Sequence, residues 1–270
     1  MNLALQEAPP VLLTVKDGRA TITLNEPDRG NAMDIASVSR LAEAVDRVAA
    51  DASVRVLVLR ANGPRFCVGA DLRWLNPDLP GARERVFEVL ERLNPLILRL
   101  RGMPAIVVAG VQGTVAGGGV GLVAAADFVL ASENATVSLA YPRIGATPDA
   151  GATFFLPRLL GERRALELML GAQTLGADAA ERLGLFNFVA RGPDFASELE
   201  ALAGRLASGP AAAFARTKAL TYAALANTLA QQLEAERTAF LATSESPDFH
   251  EGVRSFLQKR APHFTAQRSS

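Results

Sequence analysis

Short runs of Val, Ile, Leu and Ala alternate along most of this chain with longer segments of helical period, and that alternation narrows the possible folds more than any other feature. A strand buried on both faces reads as an unbroken apolar run, and a parallel neighbour is reached only through a helix-length crossover, so the pattern predicts an α/β protein with buried sheets. Two strands are expected at Val11 to Val15 and Ala20 to Leu24, with Lys16, Asp17, Gly18 and Arg19 as a hairpin turn. After Pro27, residues Ile35, Val38, Leu41, Ala42, Val45 and Val48 share one helical face, while Arg40, Glu43, Asp46 and Arg47 lie off it. The series continues with a strand at Val54 to Arg60, a helix at Gly81 to Leu100, a strand at Ala105 to Val111 and a short helix at Gly118 to Ala126. Next come a strand at Phe128 to Ala131, a partner for it at Thr136 to Ala140, and helices over about Ala150 to Leu170. Repetition of strand, strand, helix suggests stacked turns of chain.

Beyond Phe186 to Ala190 the strand signals stop. Asp194 to Ala207, Pro210 to Leu225, Leu229 to Leu241 and Asp248 to Gln258 read as helices, giving a strand-containing core over 1–205 and a helical region over 206–270. The apolar side chains of that region, among them Phe214, Leu225, Leu233, Phe240 and Phe256, exceed the needs of a peripheral layer, so association with another copy is expected.

Composition removes several function classes. With 28 basic and 28 acidic side chains the chain carries no net charge to draw in nucleic acid or an anionic membrane, and a small-molecule partner is expected. Cys67 is the single cysteine, so no internal disulfide forms; His250 and His263 alone do not build a metal site, and none is expected. The first residues lack a basic start followed by a long apolar stretch, and later apolar runs fall short of a membrane span, from which a cytoplasmic protein is expected.

Two glycine-rich segments each follow an apolar strand: Gly63-Pro64-Arg65-Phe66-Cys67-Val68-Gly69-Ala70-Asp71-Leu72 and Gln112-Gly113-Thr114-Val115-Ala116-Gly117-Gly118-Gly119-Val120-Gly121. Without Cβ atoms in the way, backbone N–H groups can approach a ligand, and a helix starting at the second segment adds its positive end. Close strand-to-helix packing with no ligand explains the same glycines equally well. Gly119-Val120-Gly121-Leu122-Val123-Ala124 formally fits a dinucleotide fingerprint, but the strand before it ends near Val111 and no acid closes a second strand at the required distance.

Together with the flanking chain, the two segments resemble the crotonase superfamily, also called the enoyl-CoA hydratase/isomerase family. The likeness covers nearly the whole chain: Glu26-Pro27 to Asn31-Ala32-Met33, Arg65 to Leu72, Pro104 to Val107, Ala116-Gly117-Gly118-Gly119, Ala126-Asp127, Ala131 to Ala135, Ile144-Gly145 to Thr153, Leu156-Pro157-Arg158, and Glu251-Gly252 to Arg260. The resemblance implies a crotonase-like spiral of strand-strand-helix repeats, a helical C-terminal trimerisation region, acyl-CoA substrates without a separate cofactor, and a homotrimer or dimer of trimers. It implies that the backbone amides of Ala70 and Gly118 hold a thioester oxygen. It also implies contacts to substrate or CoA from Phe66, Gly69, Asp71, Leu72, Gly117 and Tyr141, and from Phe240 and Lys259 of a neighbouring subunit.

The two carboxylates that family hydratases use fall here on Gly121 and Tyr141, neither of which is an acid. Asp149 stands instead where several double-bond and ring isomerases of the family carry their acid, and the wording around it is most like that of the ring-epoxide isomerase of phenylacetate breakdown. Without the resemblance, an aspartate there reads first as the N-cap of a helix running from Ala150 to Leu160, and with it as the acid. The expectation is a CoA-thioester isomerase moving a proton through Asp149. The alternatives are a hydratase recruiting Glu84 or Glu88, which with Glu91 otherwise form a solvated helix face, and a non-catalytic acyl-CoA binder. Asp71 and Asp127 read as structural, Cys67 as core filler, and Trp74 as a residue of the pocket mouth.

Overall fold

The computed structural model describes residues 8–76, 78 and 80–265. A six-stranded sheet has the order β1-β2-β3-β4-β6-β9, formed by β1 (Val11–Lys16), β2 (Arg19–Leu24), β3 (Val56–Ala61), β4 (Ile106–Val111), β6 (Phe128–Ser132) and β9 (Phe188–Ala190). Within this sheet only the β1/β2 hairpin is antiparallel among the described residues, and every later pairing is parallel and is reached through a crossover. The first three crossovers run through α1 (Ile35–Ala50), α2 (Ala82–Gly102) and the short α3 (Gly118–Ala124). A second, three-stranded sheet joins β5 (Thr114–Ala116), β7 (Thr136–Ser138) and β8 (Thr174–Gly176). The predicted strand at 136 therefore forms, but not beside β6. The segment after β6 pairs β7 with β5 instead, because β4 and β9 already occupy both sides of β6.

The period-2 alternation of β3 and β4 explains why both faces are covered. Leu57, Leu59, Val107 and Ala109 enter a core with α1 and α2, while Val56, Val58, Ile106 and Val108 point the other way against Leu199, Leu202 and Ala203 of α7 (Phe195–Ala207). Helix α1 buries Val38, Leu41, Ala44, Val45 and Val48, the predicted stripe, and starts from a reciprocal cap in which the Asp34 carboxylate and the Ser37 hydroxyl each accept the other's backbone N–H. Helices α4 (Ala152–Leu160), α5 (Glu162–Gly171) and α6 (Ala177–Arg182) lie in the last crossover, from β6 to β9, and α6 packs against β7 and β8 of one sheet and β9 of the other.

Helix α7 runs past the expected junction at residue 205 and ends at Ala207. Then come α8 (Ala211–Ala223), α9 (Leu229–Ser244) and α10 (Pro247–Leu257). Helix α9 buries no residue, and Leu225, Leu229, Phe240, Phe256 and Leu257 are exposed. No helix among the described residues is long and apolar enough to cross a membrane.

Candidate active site

The first glycine segment threads between two others. The Phe66 and Cys67 amides donate to the Thr114 carbonyl and the Ala116 amide to the Cys67 carbonyl; on the other side Val68 N–H donates to Gly30 O. Gly69 has a φ of +87°, and a Cβ there would lie 3.0 Å from the Ala116 carbonyl oxygen and 3.2 Å from Gly117 Cα, so only glycine lets the two segments touch. Met33 then pairs with Ala70, donating to Gly69 O at 2.7 Å and accepting from Asp71 N–H at 2.9 Å. In this ladder the bonded groups belong to Ala70's neighbours, so its own N–H turns away from Met33, toward the side where residues 114–118 run.

Gly117, at φ 51° and ψ −132°, adopts a conformation that is essentially confined to glycine and delivers the chain into α3. Gly118 is the first residue of that helix, so its N–H has no carbonyl within the helix to receive it. Two backbone donors thus converge at the mouth of α3 from two segments separated in sequence.

Asp149 arrives from a third segment, between the turn at Tyr141–Ile144 and α4. Its Oδ1 would lie 3.2 Å from a Cβ built on Gly118, and it accepts a hydrogen bond of 2.5 Å from the Tyr141 hydroxyl. Its Oδ2 takes no hydrogen bond from another described residue. The reading of Asp149 as a helix N-cap is corrected by these contacts. Helix α4 starts at Ala152 from Gly151, whose φ is +79°, and Asp149 contributes only its backbone carbonyl to the Ala152 amide. The side chain is freed because two left-handed residues, Ala150 at φ 49° and Gly151, rotate the chain between Asp149 and the helix.

Burial pushes the Asp149 carboxyl above the ordinary carboxylate range, and the Tyr141 hydroxyl opposes that rise. Burial, with the Asp149 charge beside it, drives the Tyr141 phenol well above its usual value, so it stays a protonated donor. No cation among the described residues compensates Asp149. Arg143 donates to the Ala172 carbonyl, Arg158 lies over the Phe154 ring, and Arg101 is stacked on Tyr222 and Phe155.

Gly121 lies one turn after Gly118 on the same helix face, and there the space is filled. A Cβ at 121 would stand 2.2 Å from the Ala150 carbonyl oxygen and 2.5 Å from the Ala150 Cβ, far inside contact distance. The missing side chain at 121 and the placing of Asp149 are therefore one structural fact, since residue 150 packs onto α3 only where position 121 has no side chain.

The remaining predicted residues divide into two groups. Gly69, Ala70, Gly117, Gly118, Tyr141 and Asp149 gather round the mouth of α3. Phe66 is buried beneath it with its amide spent on Thr114, and Leu72 is exposed nearby. The Asp71 carboxylate is engaged by Arg29 at 2.6 Å and by the Arg73 and Trp74 amides, which hold the turn just after Ala70 and keep its carboxyl below the usual range despite partial burial. Phe240 sits on α9 with its ring 6.1 Å from Phe249, and Lys259 follows α10 on the surface. Within one copy neither joins the cluster. Glu84, Glu88 and Glu91 are exposed, as a solvated face requires, and Cys67 is fully buried with its thiol pushed up to about 11 by desolvation.

Arg29 was not singled out by the sequence. It bridges Asp34, Asp71 and Glu26 at 2.6, 2.6 and 2.7 Å and ties the start of α1 to the loop carrying Ala70. The nearby acids Glu26 and Asp34 were a local hint, but Asp71 is 42 residues away.

Residues 14–267 match the model of the enoyl-CoA hydratase/isomerase family. The chain belongs to that family. It is 40% identical to a protein of Rhodobacter capsulatus named "Probable enoyl-CoA hydratase", over 94% of this chain and 96% of that one. It is 36% identical to the 1,2-epoxyphenylacetyl-CoA isomerase of Escherichia coli, over 95% of this chain and 98% of that protein. The crystal structure of an enoyl-CoA hydratase from Polaromonas superposes with a TM-score of 0.89 at 33% identity, covering 94% of this chain and 99% of that one. The family's name spans both water addition and isomerisation, so the residues at the site have to decide between them. Among the described residues, no group of three or more His, Cys, Asp or Glu side chains could hold a metal ion.

Proposed function

We propose that this member of the family is an acyl-CoA thioester isomerase that converts 3-enoyl-CoA into 2-enoyl-CoA, or carries out a related ring isomerisation. The observation that carries the reading is a lone carboxylate, Asp149, standing at the mouth of α3 while packing closes position 121 to any second acid. In this reading the amides of Ala70 and Gly118 hold the thioester oxygen. Asp149 takes a proton from C2 as the electrons move onto that oxygen, and the dienolate then accepts the same proton at C4. The amides are fixed before reaction begins and act where charge develops, a contribution worth about a hundredfold to a thousandfold per donor. One carboxylate suffices for a proton that leaves and returns, and its raised pKa makes it a better base for a weakly acidic carbon than an ordinary surface aspartate. No cofactor enters this chemistry beyond the CoA of the substrate.

The test is a 3-enoyl-CoA assay that follows the rise of the conjugated thioester absorbance. Wild-type protein shows the rise, and Asp149→Asn loses it while still binding CoA ester; wild-type turnover in that variant would falsify the assignment. Hydration is the second reading, favoured by the name of the Rhodobacter relative. It appears in the same cuvette as loss of absorbance from 2-enoyl-CoA. Against it stand Gly121, Tyr141 and the exposure of Glu84 and Glu88. Tight binding with neither change marks a non-catalytic binder.

The exposed apolar residues of α9 and α10 support assembly into a homotrimer or dimer of trimers, with Phe240 and Lys259 of one copy serving the CoA end of another's site. Light scattering after size exclusion gives three or six times the 28.5 kDa chain mass under this proposal. We place the enzyme in the cytoplasm.

A further inference from the structure

The geometry points to Tyr141 as a positioning residue that anchors Oδ1 of Asp149 and thereby makes Oδ2 the single oxygen that carries the proton. This deepens the isomerase reading and rests on it. The Tyr141 ring is buried, and its hydroxyl meets Oδ1 at 2.5 Å across a separation of eight residues, so the bond is made by tertiary packing and not by a local turn. Oδ1 also faces Gly118 at the position where any larger residue would carry its Cβ. The tyrosine bond therefore fixes Oδ1 close against the backbone of Gly118, where the absence of a side chain leaves it room, while Oδ2 has no partner from another described residue.

In the forward step the C2–H bond breaks, its proton goes to Oδ2, and the electron pair passes to the thioester oxygen. In the return step the Oδ2–H bond breaks, the proton joins C4, and the electrons come back to leave the C2=C3 double bond. Throughout, Oδ1 keeps its bond from Tyr141, so the protonated carboxyl does not have to turn and its proton stays over the substrate. The described elements around the pair bring no competing charge. Helix α3 offers glycines, α2 offers Ile97 beside Gly151, and α4 offers Ala152 and Phe155. The Arg143, Arg158 and Arg101 guanidiniums are engaged elsewhere. The remaining titratable neighbour is the buried thiol of Cys67.

The experiment measures kcat/KM for 3-enoyl-CoA against pH, and deuterium at C4 of product formed in D2O, in three proteins: wild type, Tyr141→Phe, and protein in which both tyrosines, Tyr141 and Tyr222, are replaced biosynthetically by 3-fluorotyrosine. Loss of the donor leaves burial unopposed, so the acid limb moves up by about one pH unit in Tyr141→Phe, the size expected for one charge-assisted hydrogen bond. The more acidic fluorophenol is a stronger donor and moves the limb down. Deuterium at C4 rises in Tyr141→Phe, because a carboxyl free to turn exchanges its proton with solvent. An acid limb unmoved in either altered protein overturns the inference whatever happens to kcat, and so does unchanged deuterium in Tyr141→Phe. Those failures occur in an enzyme that still isomerises; a wild-type protein that does not isomerise overturns the underlying reading instead, and this inference with it.

Discussion

Two aspartates that receive a tyrosine hydroxyl lie at opposite ends of α3, and they are built for opposite ends. Asp127, just past the C-terminal end, is filled on both oxygens. Tyr222 donates to Oδ1, while the Val107 amide at 2.7 Å and the Lys218 ammonium at 2.8 Å reach Oδ2. Lys218 also donates to the Ala105 carbonyl, so the group fastens α8 beneath β4. Asp149, at the N-terminal end, has its tyrosine on one oxygen, nothing from another described residue on the other, and no cation among them. A buried charge whose acceptor sites are filled and whose sign is matched holds structure together, whereas one left half-filled is kept at a higher free energy and can take up a proton. The same residue type, packed at the two ends of one helix, is thus fully bonded in one place and left with an open oxygen in the other, as the proposed base requires.

Exchanging each carboxylate for its amide separates these roles. In Asp149→Asn isomerisation falls by about a thousandfold or more, at the upper end of what a general base supplies, as read from the absorbance assay. Stability moves the other way. Because the folded state raises the Asp149 pKa, the group favours folding below its unfolded value and that contribution is lost as pH rises through the folded value. At neutral pH the asparagine variant therefore melts at or above the wild-type temperature, and a lower melting temperature would break the comparison.

Asp127→Asn inverts the pattern. It leaves the Lys218 ammonium in a site only 6% exposed without its counter-charge, which costs about 3–5 kcal/mol in denaturant unfolding, while turnover per folded molecule stays within a few-fold of wild type. Equal stability of the two amide variants would show that Asp127 is no rivet.

Gly121→Ala tests the link between the empty position and the carboxylate of Asp149. Its methyl group meets Ala150 inside contact distance, so the segment carrying Asp149 must shift. Overpacking of this kind costs about 1–3 kcal/mol, and kcat falls with it, whereas simple helix propensity predicts a gain. A Gly121→Ala protein with raised stability and full activity would sever that link.

Much of the scaffold is legible in local pattern. The stripe Val38, Leu41, Val45 and Val48 announces α1, and the apolar runs at 105 and 128 announce β4 and β6, because burial on one face or both imposes a period that a linear reading detects. The strand at 136 was legible as a strand but not as the partner of β5. Period 2 tells which side chains face together; which strand lies alongside depends on edges already occupied.

At the site, the glycines at 69, 117 and 118 and the acid at 149 stand out in the sequence, yet the reason for them does not. That Gly69 clears the Ala116 carbonyl, that Gly121 receives Ala150, and that Arg29 reaches Asp71 are contacts between distant segments with no local signature. The N-cap reading of Asp149 shows the limit most clearly. Its neighbours Ala150 and Gly151 take left-handed conformations that turn the side chain off the helix, and an alanine gives no sign that it will do so.

By itself, then, the sequence determined most of the longer strands and helices but not the short β5, β8 and α6, together with the absence of any second acid at 121 and 141 and the family to which the chain belongs. Tertiary structure alone decided that Asp149 meets Tyr141 and that Asp127 meets Lys218. A side chain's type sets what it can donate or accept, but its protonation and its partners are set by burial and by groups brought from far along the chain.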